Sequence, residues 1–202
     1  MIRIHHHPFS TYARRVNMAL IEKDIPHEKV LVDMTKGEHR SPEYRAHNPY
    51  GRVPMLEEDG FFLYESTAIL NYLEATHPQP SLLPADARGR ALVDMHMKLC
   101  DLQMSRQTGI IIFPKRFLPP ERWIAADMAK AKEEIEKHLA VVEGQLAGQE
   151  YLVEGRYTLA DLAYVPFLEF LPLMEIEPPP QVAAWRERLL ARPSAVATKP
   201  AR

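Results

Sequence analysis

The run Asn48-Pro49-Tyr50-Gly51-Arg52-Val53-Pro54 and, beyond an Asp59-Gly60 turn, the pair Glu65-Ser66 carry the residue types best suited to binding chemistry. Pro54 opens a short, edge-like strand. If its peptide bond with Val53 is cis, the Val53 N–H and C=O turn outward and can pair with another extended backbone. Glu65 and Ser66 stand at the start of a helix that carries Ala68, Ile69, Tyr72 and Leu73. A helix N-terminus offers free N–H groups and the positive end of the dipole, which suit a carboxylate. The Ser66 hydroxyl adds a donor, and the Glu65 carboxylate suits an ammonium. Together these groups can hold the amino-acid end of a small peptide. Taken alone, Glu65-Ser66 reads more simply as a helix cap.

Other chemistries find little support. The glycines fall at 37, 51, 60, 89, 109, 144, 148 and 155 and form neither a GxGxxG fingerprint nor a P-loop. GxSxG and HExxH are absent. Gly144 and Gly148 fit GxxxG by spacing, which means little in an amphipathic soluble helix. His5-His6-His7 suggests a metal, but consecutive strand residues alternate faces and cannot converge. His96 and Cys100 are one helical turn apart, two ligands without a third. No metal is expected.

These residues need elements to hold them. Ile2 and Ile4 alternate with Arg3 and His5, a strand that Pro8 ends. Ser10 and Thr11 are plausible N-caps for a helix carrying Val16, Ala19 and Leu20, closed at Asp24-Ile25-Pro26. Residues 27–32 read as a second strand, and 33–50 as a turn-rich stretch with one irregular helix. Val53–Leu56 and Phe61–Leu63 flank Glu58-Asp59-Gly60, a hairpin. Ser66 caps the next helix, ending near His77. Beyond Pro84 the pattern turns helical: 88–108, 120–147, Thr158 to about Phe170, and Gln181–Ala191. Ile124, Met128, Ala131, Ile135, Leu139, Val142 and Leu146 form a stripe that faces a core. Thr158 and Asp161 spell a capping box. The expected fold is an α/β N-terminal domain of order βαβαββα over residues 1–78, a linker at 79–85, and an all-α C-terminal domain over 86–202.

Composition narrows the function. The chain has 202 residues, 46% hydrophobic and 26% charged, enough for a core without staples. Lys+Arg is 25 against Asp+Glu 27, a balance that argues against nucleic acid as a partner. The 18 prolines, against a usual ~5%, cluster at 78–84, 114–120 and 178–180 and mark breaks. The single cysteine, Cys100, forms no intrachain disulfide. Residues 1–15 hold no signal-peptide core, and no stretch approaches the ~18 apolar residues of a membrane span. The expected location is the cytoplasm, with no membrane partner.

At this point a resemblance enters. The NPxGxVPxL element at 48–56, the DG turn, the ES pair and the AIxxYL helix start resemble, in order and spacing, the glutathione-binding signature of cytosolic glutathione transferases. The likeness covers nearly the whole chain. Residues 1–77 resemble the family's thioredoxin-like domain, Thr158-Leu159-Ala160-Asp161 its helical-domain capping box, and Trp185 with Arg192-Pro193-Ser194 its C-terminal helix. The stretch 7–16, HPFSTYARRV after two further histidines, and Gly37-Glu38-His39-Arg40-Ser41 are most similar to the phi-type serine enzymes. The chain departs in being short for that type and in carrying Arg52 where Gln or Lys is common.

The resemblance implies roles. Ser10 hydrogen-bonds the glutathione sulfur, with Thr11 and Tyr12 as rivals. His39 and Arg40 reach the glycine carboxylate. Arg52, Val53 and Pro54 hold the cysteinyl part, and Glu65 and Ser66 the γ-glutamyl part. The co-substrate is glutathione, joined to a small apolar electrophile in a detoxifying conjugation. Phe9, Tyr12, Ile112, Phe113 and Phe117 are candidates for the electrophile pocket, expected between the domains. The family is usually homodimeric. Alternatives are another glutathione-dependent reaction (isomerisation, dehalogenation, peroxide reduction) or a non-catalytic glutathione-fold binding or regulatory protein. The missing CxxC speaks against a thiol-disulfide oxidoreductase.

Overall fold

Alternation at the start of the chain becomes β1, Ile2–His6, which buries Ile2 and Ile4 on one face. The computed structural model describes residues 1–200. They divide into one unit built from Met1–Leu82 with the residues from Pro193 on, and another spanning Leu83–Arg192. The sequence expectation places the segment after Arg192 in the helical domain; in the structure it joins the first unit.

In the first unit β1 is followed by α1 (Thr11–Glu22), β2 (His27–Leu31), a 3-10 turn (Glu38–Arg40), α2 (Pro42–His47), β3 (Met55–Glu58), β4 (Phe61–Tyr64) and α3 (Ser66–Thr76). The strand order is β2-β1-β3-β4. The β1–β2 pair is parallel, and the β1–β3 and β3–β4 pairs are antiparallel. Asp59 and Gly60, both at positive φ, make the two-residue turn that lays β4 outside β3. The strand after Pro54 is therefore central, not edge-like. Ile2, Ile4 and Leu56 of the sheet pack against Val16 and Leu20 of α1 and Ile69 and Leu73 of α3. The opposite face is polar: Glu57 takes Arg3 Nη1 at 3.0 Å and His5 Nε2 at 2.7 Å. That contact holds the Glu57 carboxyl below its ordinary range, the His5 hydrogen bond contributing most.

A buried ion pair ties the helix ends together. Lys23 Nζ, just past α1, donates to Glu74 Oε1 of α3 at 2.6 Å and to the Pro80 carbonyl at 2.7 Å. Glu74 also accepts the Leu82 N–H at 3.1 Å. The two side chains are 0% and 5% exposed.

The second unit is helical. It comprises α4 (Ala87–Leu99), a π-helical segment (Cys100–Ser105), α5 (Arg106–Phe117), α6 (Ala125–Gln145), α7 (Leu159–Leu168) and α8 (Pro180–Leu190); α9 (Pro193–Ala197) belongs to the first unit. Helix does not end near residue 108 but runs on through the π-helical turn to Phe117. Pro114 sits inside α5, where its carbonyl still accepts the Leu118 N–H at 3.0 Å. Residues 120–122 form a 3-10 turn, so the next helix starts at Ala125 and Ile124 is exposed, outside the stripe. Ala131, Ile135, Leu139, Val142 and Leu146 are buried as the spacing requires.

The capping box at α7 is complete. Asp161, fully buried, accepts the Thr158 N–H at 2.9 Å, the Leu152 N–H at 3.0 Å and Trp185 Nε1–H at 3.0 Å. Burial pushes its carboxyl up, against the pull of these donors. No helix among the described residues is long and apolar enough to cross a membrane.

Candidate functional site

Strand register gathers the sequence motifs at one end of the sheet. Met55 faces His5 on one side and Tyr64 on the other. One step further, Val53-Pro54 therefore lies between the end of β1 and Glu65-Ser66. The Val53–Pro54 bond is cis. Val53 is buried, and its N–H has no partner among the described residues.

The loop before Val53 is held from two sides. The Arg52 carbonyl accepts Tyr44 Oη–H at 2.7 Å and Asn48 Nδ2–H at 2.8 Å. Asn48 is buried, and burial pushes the Tyr44 phenol up to about 12. Gly51 has φ +59, and a Cβ there would stand 2.6 Å from the His39 carbonyl oxygen. Only glycine lets the 3-10 turn carrying His39 and Arg40 come this close. Sequence reasoning quotes Gly51 and Asn48 as parts of a motif without giving either a task.

The helix behind this loop opens without a side-chain cap. Glu65, not Ser66, is the N-cap, with φ 71 and ψ 116. A non-glycine residue at positive φ is strained, and such strain gathers at functional sites. Ser66 is the first helical residue and is nearly buried. Its Oγ, and the N–H groups of residues 66–68, have no hydrogen-bond partner among the described residues. The end of α3 is thus an open set of donors with a positive dipole, next to the open Val53 N–H.

Ser10 does two jobs. It is the N-cap of α1, its Oγ accepting the Ala13 N–H at 3.1 Å, and it donates to the Val53 carbonyl across a long 3.5 Å contact. A hydroxyl has one donor and two acceptor sites, so Ser10 can turn its O–H to a ligand while still capping α1. Thr11 begins α1. Tyr12 is partly exposed, its ring 5.2 Å from the Arg15 guanidinium carbon.

His39 is buried, and its Nδ1 has no partner among the described residues. Its pKa is lowered, first by burial and then by Arg40, Arg45 and His7. Arg40 and Arg52 are exposed. Of the residues expected to form an electrophile pocket, Phe9 and Tyr12 are exposed in the first unit. In the second, Phe113 and Phe117 are exposed with ring centroids 5.5 Å apart, whereas Ile112 is buried among packing side chains. No three His, Cys, Asp or Glu side chains among the described residues come together as a metal site.

The sequence profile of the glutathione S-transferase N-terminal domain matches residues 4–81, and that of the C-terminal domain residues 112–193. A glutathione S-transferase of Silene vulgaris is 34% identical over 208 residues, covering 96% of this chain and 94% of the relative. The chain belongs to the glutathione S-transferases. Within the family the likeness is phi-like: glutathione transferase F2 of Populus trichocarpa superposes with a TM-score of 0.89 at 25% identity, over 98% of this chain and 97% of that one. The transferase URE2P8 of Phanerochaete chrysosporium, solved with oxidized glutathione, gives a TM-score of 0.85 at 25% identity, over 98% and 92%.

Proposed function

We propose that this protein joins the thiolate of glutathione to a small, apolar electrophile, with Ser10 addressing the sulfur. One observation carries the reading. The uncapped start of α3, the Ser66 hydroxyl and the N–H of buried Val53 are left open at the same end of the sheet. These groups match the α-carboxylate of a γ-glutamyl residue and the backbone of the cysteine that follows it. Glu65 would meet the ammonium, and His39 and Arg40 the glycine carboxylate.

The chemistry follows from thiol acidity. A free thiol of pKa ~8.5 is only about 3% ionised at pH 7. The Ser10 hydroxyl and the N-terminus of α1 favour the anion. A lowering of ~2 units is worth about 2.7 kcal/mol and makes the thiolate dominant. Nucleophilicity falls at the same time, with a Brønsted slope of ~0.4–0.5, so the net gain is only a few-fold. Holding the two reactants together must supply most of the acceleration.

Phe9 and Tyr12, exposed in the unit that carries Ser10, offer aromatic surface to an apolar electrophile. Leu92, Met95, Leu102 and Ile110 form a run of exposed apolar residues along α4, the π-helical segment and α5, and this supports a homodimer. A cytoplasmic setting and a role in detoxification complete the reading; a single cysteine, the buried Cys100, supports the first.

Calorimetric titration with glutathione, followed by conjugation to an aryl halide such as 1-chloro-2,4-dinitrobenzene, tests it. Binding with turnover is expected. Binding without turnover on a panel of electrophiles would move the reaction class to isomerisation, dehalogenation or peroxide reduction. No binding would refute the reading.

A further inference from the structure

We propose that His7 is a positioning residue for this reaction, its ring and its carbonyl together fixing Phe9 and Ser10. The inference rests on the function proposed above. The chain must leave β1 at His6 and enter α1 at Thr11, so residues 7–10 set where Ser10 stands. Pro8 has no N–H to anchor. The two N–H groups that follow both go to His7: Phe9 N–H donates to His7 Nδ1 at 3.2 Å, and Ser10 N–H to the His7 carbonyl at 2.9 Å. Ser10 Oγ in turn accepts the Ala13 N–H. The dependence runs from His7 to Ser10 to the first turn of α1.

The ring has a second effect. Its centroid lies 5.5 Å from that of Phe9, at an interplanar angle of 57°. His7 thus orients the exposed aromatic ring adjoining Ser10. Accepting at Nδ1 requires the imidazole to carry its hydrogen on Nε2. Protonation of His7 removes the acceptor and frees the Phe9 amide. His6 at the end of β1 and His39 in the 3-10 turn both feel the His7 charge, so they are the titratable neighbours of this link.

The test compares His7→Leu with His7→Asn. Leucine keeps the carbonyl and the bulk but has no acceptor. Asparagine can accept the N–H two residues on, as in an Asx turn. His7→Leu is expected to lower kcat roughly 3- to 10-fold, the value of one net hydrogen bond. KM for glutathione should hold while the thiol pKa of bound glutathione rises, and His7→Asn should restore most of the loss. Wild-type kcat in His7→Leu, or no recovery in His7→Asn, overturns the proposal. A second readout needs no catalysis: in ¹⁵N-resolved NMR the Phe9 amide should titrate together with the His7 ring, and should stop doing so in His7→Leu. A Phe9 amide indifferent to His7 protonation also overturns it. If the wild-type protein binds no glutathione, the proposed function fails by itself, and the amide titration still decides whether His7 holds the link.

Discussion

Ser10 and Ser66 are both at the start of a helix, yet substitution to alanine should affect them in opposite ways. Ser10 Oγ receives the Ala13 N–H at 3.1 Å, so Ser10→Ala removes a helix cap. A lost cap costs about 1 kcal/mol. For a chain of 202 residues, that is a fall in Tm of about 2–4 °C. Ser66 Oγ bonds nothing in the free protein, so Ser66→Ala should leave the ligand-free Tm nearly where it is. Its cost should appear only with glutathione bound. A hydrogen bond to a carboxylate is worth ~1.5–3 kcal/mol, a loss of roughly 10- to 150-fold in affinity. Differential scanning calorimetry without ligand and titration calorimetry with glutathione separate the two effects. Unchanged affinity in Ser66→Ala would remove the carboxylate from the start of α3. A Tm loss in Ser66→Ala equal to that in Ser10→Ala would show that the hydroxyl is not free.

Three further outcomes can be checked by chemical or thermal unfolding. Asp161→Ala strands four buried donors, the Leu152 and Thr158 N–H groups, the Thr158 hydroxyl and Trp185 Nε1–H, at ~1–3 kcal/mol each. Asp161→Asn should cost less, because its oxygen can keep Leu152 and Trp185; equal losses would refute this account. Lys23→Met leaves Glu74 buried without its cation and should cost ~3–5 kcal/mol, with part recovered by adding Glu74→Leu. His138, buried in α6 and 2.9 Å from Tyr164 Oη, has its pKa lowered to about 4, first by burial and then by His96. The unfolded chain takes up that proton near pH 6.5, so stability is lost as pH falls from there toward 4, by about 2 kcal/mol at pH 5. The double variant His138→Leu, Tyr164→Phe should show a flatter acid limb, and an unchanged one would exonerate His138.

Much of the architecture is written locally. The Ile2/Ile4 alternation, the Asp59-Gly60 turn, the Thr158–Asp161 box and most of the α6 stripe are short-range signals, and each is realised. What stayed hidden depends on partners far along the chain. Whether the strand after Pro54 is central or at an edge depends on β1 pairing with it, which its own residues do not encode. Pro114 reads as a breaker because its lost N–H is visible in sequence, while the bonds that carry α5 past it are not. Val53, Glu65 and Ser66 stand out in sequence by residue type and spacing, and the strand register places them at one end of the sheet. The positive φ of Glu65, the pressure of the His39 carbonyl on Gly51 and the double engagement of His7 are backbone facts. A sequence shows such facts only through the residues that tolerate them. Ile124 misled for the opposite reason: its apolar type was clear, but its exposure was set by where the helix started.

The first unit takes material from both sides of the helical one. Buried Arg14 of α1 gives Nη2–H to the Ala195 carbonyl at 3.1 Å and Nε–H to Thr198 Oγ1 at 3.3 Å, and Ser194 Oγ bonds Glu22 at the other end of the same helix. During synthesis α1 leaves the ribosome early, while α9 follows only after every residue of the second unit has been made. A guanidinium destined for the interior must therefore stay hydrated, or find temporary partners, until residues 194–198 emerge. The helix that carries Ser10 at its head is finished last, so the helical unit has time to fold before the binding unit is sealed. A ribosome stalled before Pro193, or a nascent chain cut there, would release a chain whose α1 still has an open flank.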